Sequence, residues 1–314
     1  MAGLPLVTGA TGFAGRHLLA RLLESEPSLA AWSNPRGHSH DSSDPRISWE
    51  AVDILDAPGV ARALEALGPT AIYHCAGIAD VGGTWQDPQR ALHVNVLGTH
   101  YLIEGIRRAG LTCRVLVTGS AHVYRQSSEA INEDSAIGPA SPYAVSKLAQ
   151  EMLAQSAGVC PMIITRPFNH AGPGQSPAFA MSSFARQIAE IEAGQRDPVV
   201  TVGNLDARRD ITDVRDVVRA YVQVMDRGQP GRPYNICRGE AHRIGDLLDI
   251  LVGLARTRVE VRIDRALVRP HDNPLFLGDP SRIANEAGWR PAIPIEQTLG
   301  DLLDYWRVQL HTRS

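Results

Sequence analysis

Thr8-Gly9-Ala10-Thr11-Gly12-Phe13-Ala14-Gly15 decides the fold. The octet follows a short apolar run, Leu4–Thr8, and opens a helical pattern over Gly15–Glu24. Glycines in such a turn let the chain bend tightly and let a phosphate come close to the backbone. There the first N–H groups of the helix and the positive end of its dipole favour negative charge. Three glycines alone are weak evidence. On the first strand–helix turn of an alternating chain they carry weight. The spacing here is GxxGxxG rather than GxGxxG.

Outward from the turn, strand and helix patterns alternate. Apolar, β-rich runs occur at Leu4–Thr8, Leu29–Trp32, Ile47–Val52, Thr70–Cys75, Arg114–Thr118 and Met162–Arg166. Helical spacing fills Gly15–Glu24, Ala57–Leu67, Gln89–Ala109 and Tyr143–Ala157. This rhythm predicts right-handed βαβ units. The expected class is therefore α/β, a Rossmann-type doubly wound parallel sheet with a smaller C-terminal part. Pro167–Pro177 reads as an irregular segment, and an amphipathic helix is expected near Ile295–Gln309. The expected organisation is a dinucleotide-binding domain over 1–168, with a return around 210–237. Residues 169–209 and 238–314 would form a substrate-binding part over the carboxyl edge of the sheet.

Composition narrows the partners. The 314 residues carry a formal net charge of -3, without the basic excess of a nucleic-acid footprint. No apolar run reaches the ~20 residues of a membrane span, and the N-terminus reads directly into a strand rather than a signal peptide. Cys75, Cys113, Cys160 and Cys237 lie far apart with no CxxC pair, so reduced thiols and a cytoplasmic setting are expected. His38-Ser39-His40 is the only close histidine pair. It has no neighbouring cysteine or clustered carboxylate, so no metal site is expected.

Several residues have the chemistry of an adenine-nucleotide site. Asp53 follows the third strand, where a carboxylate suits the adenine amino group, although alone it reads better as a solvated turn aspartate. Cys75-Ala76-Gly77 follows the fourth strand with side chains small enough to let a cofactor pass. After the second strand stands Trp32-Ser33-Asn34-Pro35-Arg36, with no acid before Asp41. An acid there would bind ribose hydroxyls and an arginine a 2′-phosphate, so NADP is favoured over NAD, with Ser33 and Arg36 as its contacts.

Tyr143 and Lys147 stand four residues apart on one helix face. An ammonium beside a phenol stabilises phenolate and lowers the tyrosine pKa. Such a tyrosine exchanges a proton with a carbonyl or carbinol oxygen while hydride moves at carbon. By itself the pair reads better as a solvated helix pair. Ser120, in the turn after Arg114–Thr118, adds a hydroxyl able to reach the same oxygen.

Together TGATGFAG, the Asp53 turn, Asn95-Val-Leu-Gly-Thr99, Ser120-Ala-His-Val-Tyr124, Tyr143xxxLys147 and Arg166-Pro-Phe-Asn169 resemble the extended short-chain dehydrogenase/reductase family. The resemblance covers essentially the whole chain. It implies an oxidoreductase acting on a nucleotide sugar, with Ser120, Tyr143 and Lys147 catalytic. The implied cofactor contacts are Gly9, Thr11, Gly12, Phe13, Ala14, Gly15, Ser33, Arg36, Asp53, Ile54, Cys75, Ala76, Gly77, Asn95 and Thr118, with Tyr143 and Lys147 also touching it. Arg166–Gln175, Val202–Asp216 and Arg269–Asp279 look like the branch that reduces GDP-4-keto-6-deoxy-D-mannose to GDP-D-rhamnose. Within that branch Asn169, Arg209 and Arg269 fall at the substrate, and His122 is a candidate substrate contact that departs from the branch pattern. His122 reads equally as a turn histidine.

Related 4,6-dehydratases carry an Asp-Glu pair where this chain has Ala121 and His122, so water elimination is disfavoured. A 4-epimerase retaining NAD is the alternative enzyme, and a non-catalytic NADP sensor the alternative of another class. In relatives, helices matching 89–109 and 143–157 form a four-helix dimer interface, so a homodimer is expected.

Overall fold

The computed structural model describes residues 4–37, 44–268 and 273–311. Its central sheet has seven strands in the order Pro233–Ile236, Met162–Pro167, Arg114–Thr118, Ala71–His74, Pro5–Thr8, Leu29–Ser33, Ile47–Ala51. Every neighbouring pair is parallel. The winding reverses at Pro5–Thr8. The chain runs outward to Ile47–Ala51, then crosses back to Ala71–His74 on the other side of the first strand. Ligands of such sheets bind in the crevice beyond the strand carboxyl ends at this reversal.

Alternation along each strand feeds two apolar layers. Leu6, Ala30, Ile72, Val115 and Ile164 pack with Val60, Leu64, Leu102 and Ile106, which lie on the helices Ala57–Leu67 and Gly98–Arg108. Val7, Ala31, Tyr73, Leu116 and Ile163 point the other way, toward Leu18, Leu22, Val217 and Tyr221 on Phe13–Leu22 and Val214–Arg227. Burial on both faces explains why these strands read as nearly continuous apolar runs.

Two expected segments differ in the structure. The pattern over 89–109 is not one α-helix but Pro88–Leu92, a π-helical turn His93–Leu97, and Gly98–Arg108. The π turn inserts one residue and turns Asn95, fully buried, toward the backbone of Ile78. The segment after Arg166 is also not wholly irregular. Asn169–Ala171 forms a short strand parallel to Arg208–Asp213, and the chain then turns at Gly172 and Gly174, with φ of 152° and 86°.

The rest of the chain divides its packing. Helices Ala180–Glu192, Ile244–Gly253 and Ile295–His311 share a second apolar core. A small sheet lies beside them, in which Arg208–Asp213 pairs with Ala241–Arg243 and Leu275–Phe276. Trp289, wholly buried, joins the first core instead, its Nε1 donating to the Asp216 carbonyl at 3.0 Å.

Candidate active site

The glycine turn is built for close approach. Gly9 has φ of 65°, and a Cβ there would stand 2.6 Å from the Ala76 nitrogen. A Cβ on Gly15 would meet the Gly9 carbonyl at 2.3 Å, so the first helix is pressed against the turn. Gly12 caps that helix with no side-chain hydrogen bond and no acid in its first turn. In contrast, the helix Pro142–Ser156 is capped by Ser141, which accepts from the Ala144 N–H at 3.1 Å. The leading N–H groups of Phe13–Leu22 thus have no side-chain cap, which fits a diphosphate. Thr11 and Ala14 flank the turn. Phe13 stacks on His170, centroids 5.7 Å apart, and so joins the turn to the strand that begins at Asn169.

The rim follows the strand ends. Ser33 closes the second strand, and Asn34 Oδ1 accepts the Arg36 N–H at 2.9 Å, leaving Arg36 exposed in the turn. Asp53 Oδ1 accepts from the Leu55 N–H at 2.9 Å, so its turn is self-capped, and Ile54 packs over Gly98. Cys75, its thiol pushed up to about 12 by burial, precedes Ala76 and Gly77. A Cβ on Gly77 would lie 2.8 Å from Asn95 Oδ1 and 3.3 Å from Lys147 Nζ, so any larger residue there would push these side chains aside. Arg269, Asp41 and the pair His38 and His40 lie outside the described residues.

Ser120, Tyr143 and Lys147 converge at this edge. Ser120 caps the turn Ala121–Val123, its Oγ accepting the His122 N–H at 3.2 Å. Tyr143, in the first turn of Pro142–Ser156, is 7% exposed. Burial pushes its phenol above the usual tyrosine value, and a hydrogen bond with Ser120 draws it back. The expected depression by Lys147 is not what governs it. The Lys147 ammonium donates instead to the Thr118 carbonyl at 2.8 Å and to Gln150 Oε1 at 2.9 Å. Burial lowers Lys147 itself to about 8. It is the only lysine in the chain, against 30 arginines.

Asn95 sits under the site. It accepts from the Ile78 N–H at 2.8 Å and donates to Ser146 Oγ at 2.9 Å, and Ser146 donates to the Tyr143 carbonyl at 2.8 Å. The π turn therefore braces the first turn of the catalytic helix.

On the opposite side, His122 stacks on Phe276 at 5.1 Å and meets Tyr143 edge-on at 5.9 Å. Phe276 is the register partner of Arg209, whose Nη1 donates to the Asn273 carbonyl at 2.6 Å. Asn169 pairs with Ile211 on the same strand as Arg209. His122, Arg209 and Asn169 are thus tied to one small sheet facing the strand ends.

Sequence reading missed two buried clusters. One is His74, Thr99 and Gln150, in contact with Lys147. The other holds Arg166, which donates through Nε to Glu151 at 3.0 Å and through Nη1 to Tyr124 at 2.8 Å. Tyr124 donates to Asn235 Oδ1 at 2.7 Å, and Glu133 accepts the Asn235 N–H at 2.8 Å. Their members are scattered in sequence and carry no shared spacing. Among the described residues, no group of three or more His, Cys, Asp or Glu side chains is placed to hold a metal ion.

The chain matches the GDP-mannose 4,6 dehydratase family over residues 6–302. It is 34% identical to GDP-6-deoxy-D-mannose reductase of Pseudomonas aeruginosa, over 97% of each chain. A GDP-mannose 4,6-dehydratase of Vibrio cholerae is 25% identical over 98% of this chain and 94% of its own. Among solved structures, RMD from Pseudomonas aeruginosa complexed with NADPH superposes with TM-score 0.85 at 33% identity, covering 98% of this chain and 99% of that one. UDP-glucose 4-epimerase of Thermus thermophilus in complex with NAD gives TM-score 0.85 at 27% identity, covering 96% and 98%.

Proposed function

The chain belongs to the GDP-mannose 4,6 dehydratase family, and on that footing we propose that it is an NADPH-dependent 4-ketoreductase of a nucleotide-linked 4-keto-6-deoxyhexose. The substrate we assign is GDP-4-keto-6-deoxy-D-mannose and the product GDP-D-rhamnose. The observation that carries this reading is the surrounding of Tyr143. The side chain at its ring edge is His122, and the buried carboxylates Glu133 and Glu151 are engaged with Asn235 and Arg166. Among the described residues no carboxylate acts on Tyr143 as the acid–base partner that expelling a C6 hydroxyl needs, whereas the proton donor for reduction is present.

NADPH, when bound, supplies the hydride that the sugar C4 accepts. The chain's own residues do the rest. The glycine turn and the uncapped helix hold the diphosphate, and Ser33 with Arg36 meet the 2′-phosphate. Ser120 donates to the C4 carbonyl oxygen. Tyr143, kept protonated by burial, delivers a proton to that oxygen as negative charge develops, and the Lys147 charge stabilises the phenolate left behind. Arg209 and Arg269 suit the sugar diphosphate through permanent charge and planar donors, and Asn169 and His122 contact the sugar side.

We assign residues 1–168, with the return near 210–237, to cofactor binding, and 169–209 with 238–314 to the nucleotide sugar. The completion of the main sheet by Pro233–Ile236 supports the return, and the separate core of the last helices supports the second part. We also read a cytoplasmic homodimer. Exposed Leu92, Leu97, Val145 and Met152, on and between the helices Pro88–Leu92, Gly98–Arg108 and Pro142–Ser156, support an interface between copies. No helix among the described residues is long and apolar enough to cross a membrane. A single mass by light scattering that matches the monomer at every concentration would remove the dimer.

The direct test is NADPH consumption with GDP-4-keto-6-deoxy-D-mannose generated in place by a dehydratase, with NADH in parallel. Rapid loss of NADPH is expected. No loss, together with nicotinamide already bound to the purified protein, would favour the epimerase.

A further inference from the structure

A line of buried polar groups runs from the glycine turn to the catalytic ammonium. The Ala76 N–H donates to Thr8 Oγ1 at 3.2 Å, and Thr8 Oγ1 lies 2.8 Å from His74 Nδ1. His74 Nε2 is 2.9 Å from Thr99 Oγ1, to which Gln150 Nε2 donates at 2.8 Å. Gln150 Oε1 then accepts from Lys147 at 2.9 Å. Thr8, His74, Thr99, Gln150 and Lys147 are all buried, Lys147 being the most exposed at 5%.

The direction of every proton in this line is determined. Thr99 donates its one hydroxyl proton to the Asn95 carbonyl at 2.8 Å, so its oxygen only accepts, from Gln150 and from His74. His74 therefore carries its proton on Nε2, and its bare Nδ1 accepts from Thr8. Thr8 in turn is left to accept from Ala76. A flipped Gln150 amide would point its NH2 at the ammonium and its oxygen at a hydroxyl with no free proton. The orientation of Gln150 is locked.

We propose that Gln150 is a positioning residue for the reaction. Oriented by Thr99 and His74, it joins the Thr118 carbonyl in holding two of the three N–H groups of Lys147 and so directs the third toward the cofactor side. The inference rests on the reading of Ser120, Tyr143 and Lys147 as the reacting groups.

The surroundings show why an amide, and not a carboxylate, suits this position. Among the described residues, the titratable groups that act on Lys147 are His74, at the end of one strand, and Cys75, just after it, while Tyr143 stands one turn earlier on its own helix. Thr118, Asn95 and Thr99 from the other packed elements carry no charge. Burial lowers His74 to about 3 and raises Cys75 to about 12, so both are uncharged near neutrality. Glu151, farther along the helix, is held by Arg166. Lys147 thus titrates against neutral acceptors alone.

Because Lys147 is the only lysine, protein carrying lysine labelled with carbon-13 at Cε gives one side-chain resonance, and its titration reads Lys147 directly. Gln150→Glu should raise the midpoint by about one pH unit or more, since a buried carboxylate favours the ammonium. Gln150→Met, which removes an acceptor at similar volume, should lower it by roughly half a unit and reduce kcat about tenfold, with the KM for NADPH little changed. Thr99→Val should act like Gln150→Met, and Thr99→Ser should restore the wild-type midpoint. Unmoved midpoints in both Gln150 variants would overturn the proposal. If Gln150→Met does not fold, Gln150→Glu alone decides. The titration needs no substrate, so a shifted midpoint in an enzyme that does not reduce the keto sugar would leave this inference standing while the reductase reading fell.

Discussion

His122 meets the ring of Tyr143 edge-on, centroids 5.9 Å apart and planes at 77°, while its own face lies on Phe276. A carboxylate at this point would set negative charge beside the phenol and oppose loss of its proton. We expect His122→Glu to lower kcat/KM for the keto sugar about tenfold, a single unfavourable charge contact being worth one to two pKa units. NADPH affinity, measured by fluorescence titration, should stay near wild type.

The pH profile follows from the two buried groups. Reduction needs Tyr143 protonated and Lys147 charged, and both conditions fail as pH rises. Lys147, lowered by burial to about 8, titrates first. Tyr143, pushed up by burial, titrates later. Hence kcat/KM should be level through neutrality and fall on the alkaline side with a midpoint near 8. Lys147→Arg should abolish the limb along with most of the activity, because a planar guanidinium does not fit the Thr118–Gln150 cradle.

Arg36 is predicted to discriminate the cofactors. A charge-assisted contact contributes about 1.5–3 kcal/mol, so Arg36→Ala should raise the KM for NADPH roughly tenfold or more. The KM for NADH should change little. Equal effects on both cofactors would count against a 2′-phosphate contact.

Arg166 and Glu151 are 5% and 2% exposed and pair in the interior. Removing one partner leaves a buried charge, and Glu151→Ala should cost about 3–5 kcal/mol of stability. Thermal unfolding followed by circular dichroism would register it as a large fall in Tm. A change of only a degree or two would mean that water replaces the carboxylate.

Much of this arrangement is legible in the sequence because it is local. The glycine turn, the strand Arg114–Thr118 and the helix Ala57–Leu67 follow from neighbours in the chain, and the structure gives the last two the expected bounds. The π turn at His93–Leu97 is not legible, since one inserted residue shifts the apolar spacing by less than the scatter of a single sequence. Nor is the seating of Trp289 under Val214–Arg227, which depends on a late segment returning to the first core. His74, Thr99 and Gln150 belong to a strand and two helices. Only their packing brings the three together, whereas Tyr143 and Lys147 share one helix face and so declare themselves.

The measurement closest to the central claim uses NADPH carrying deuterium at the transferable position, with GDP-4-keto-6-deoxy-D-mannose as acceptor and Tyr143→Phe in parallel. The account predicts one deuterium at C4 of the product for each NADPH oxidised, with the variant slowed by about 10²–10⁴-fold while it still binds cofactor. A product without deuterium, or near wild-type turnover by Tyr143→Phe, would contradict it.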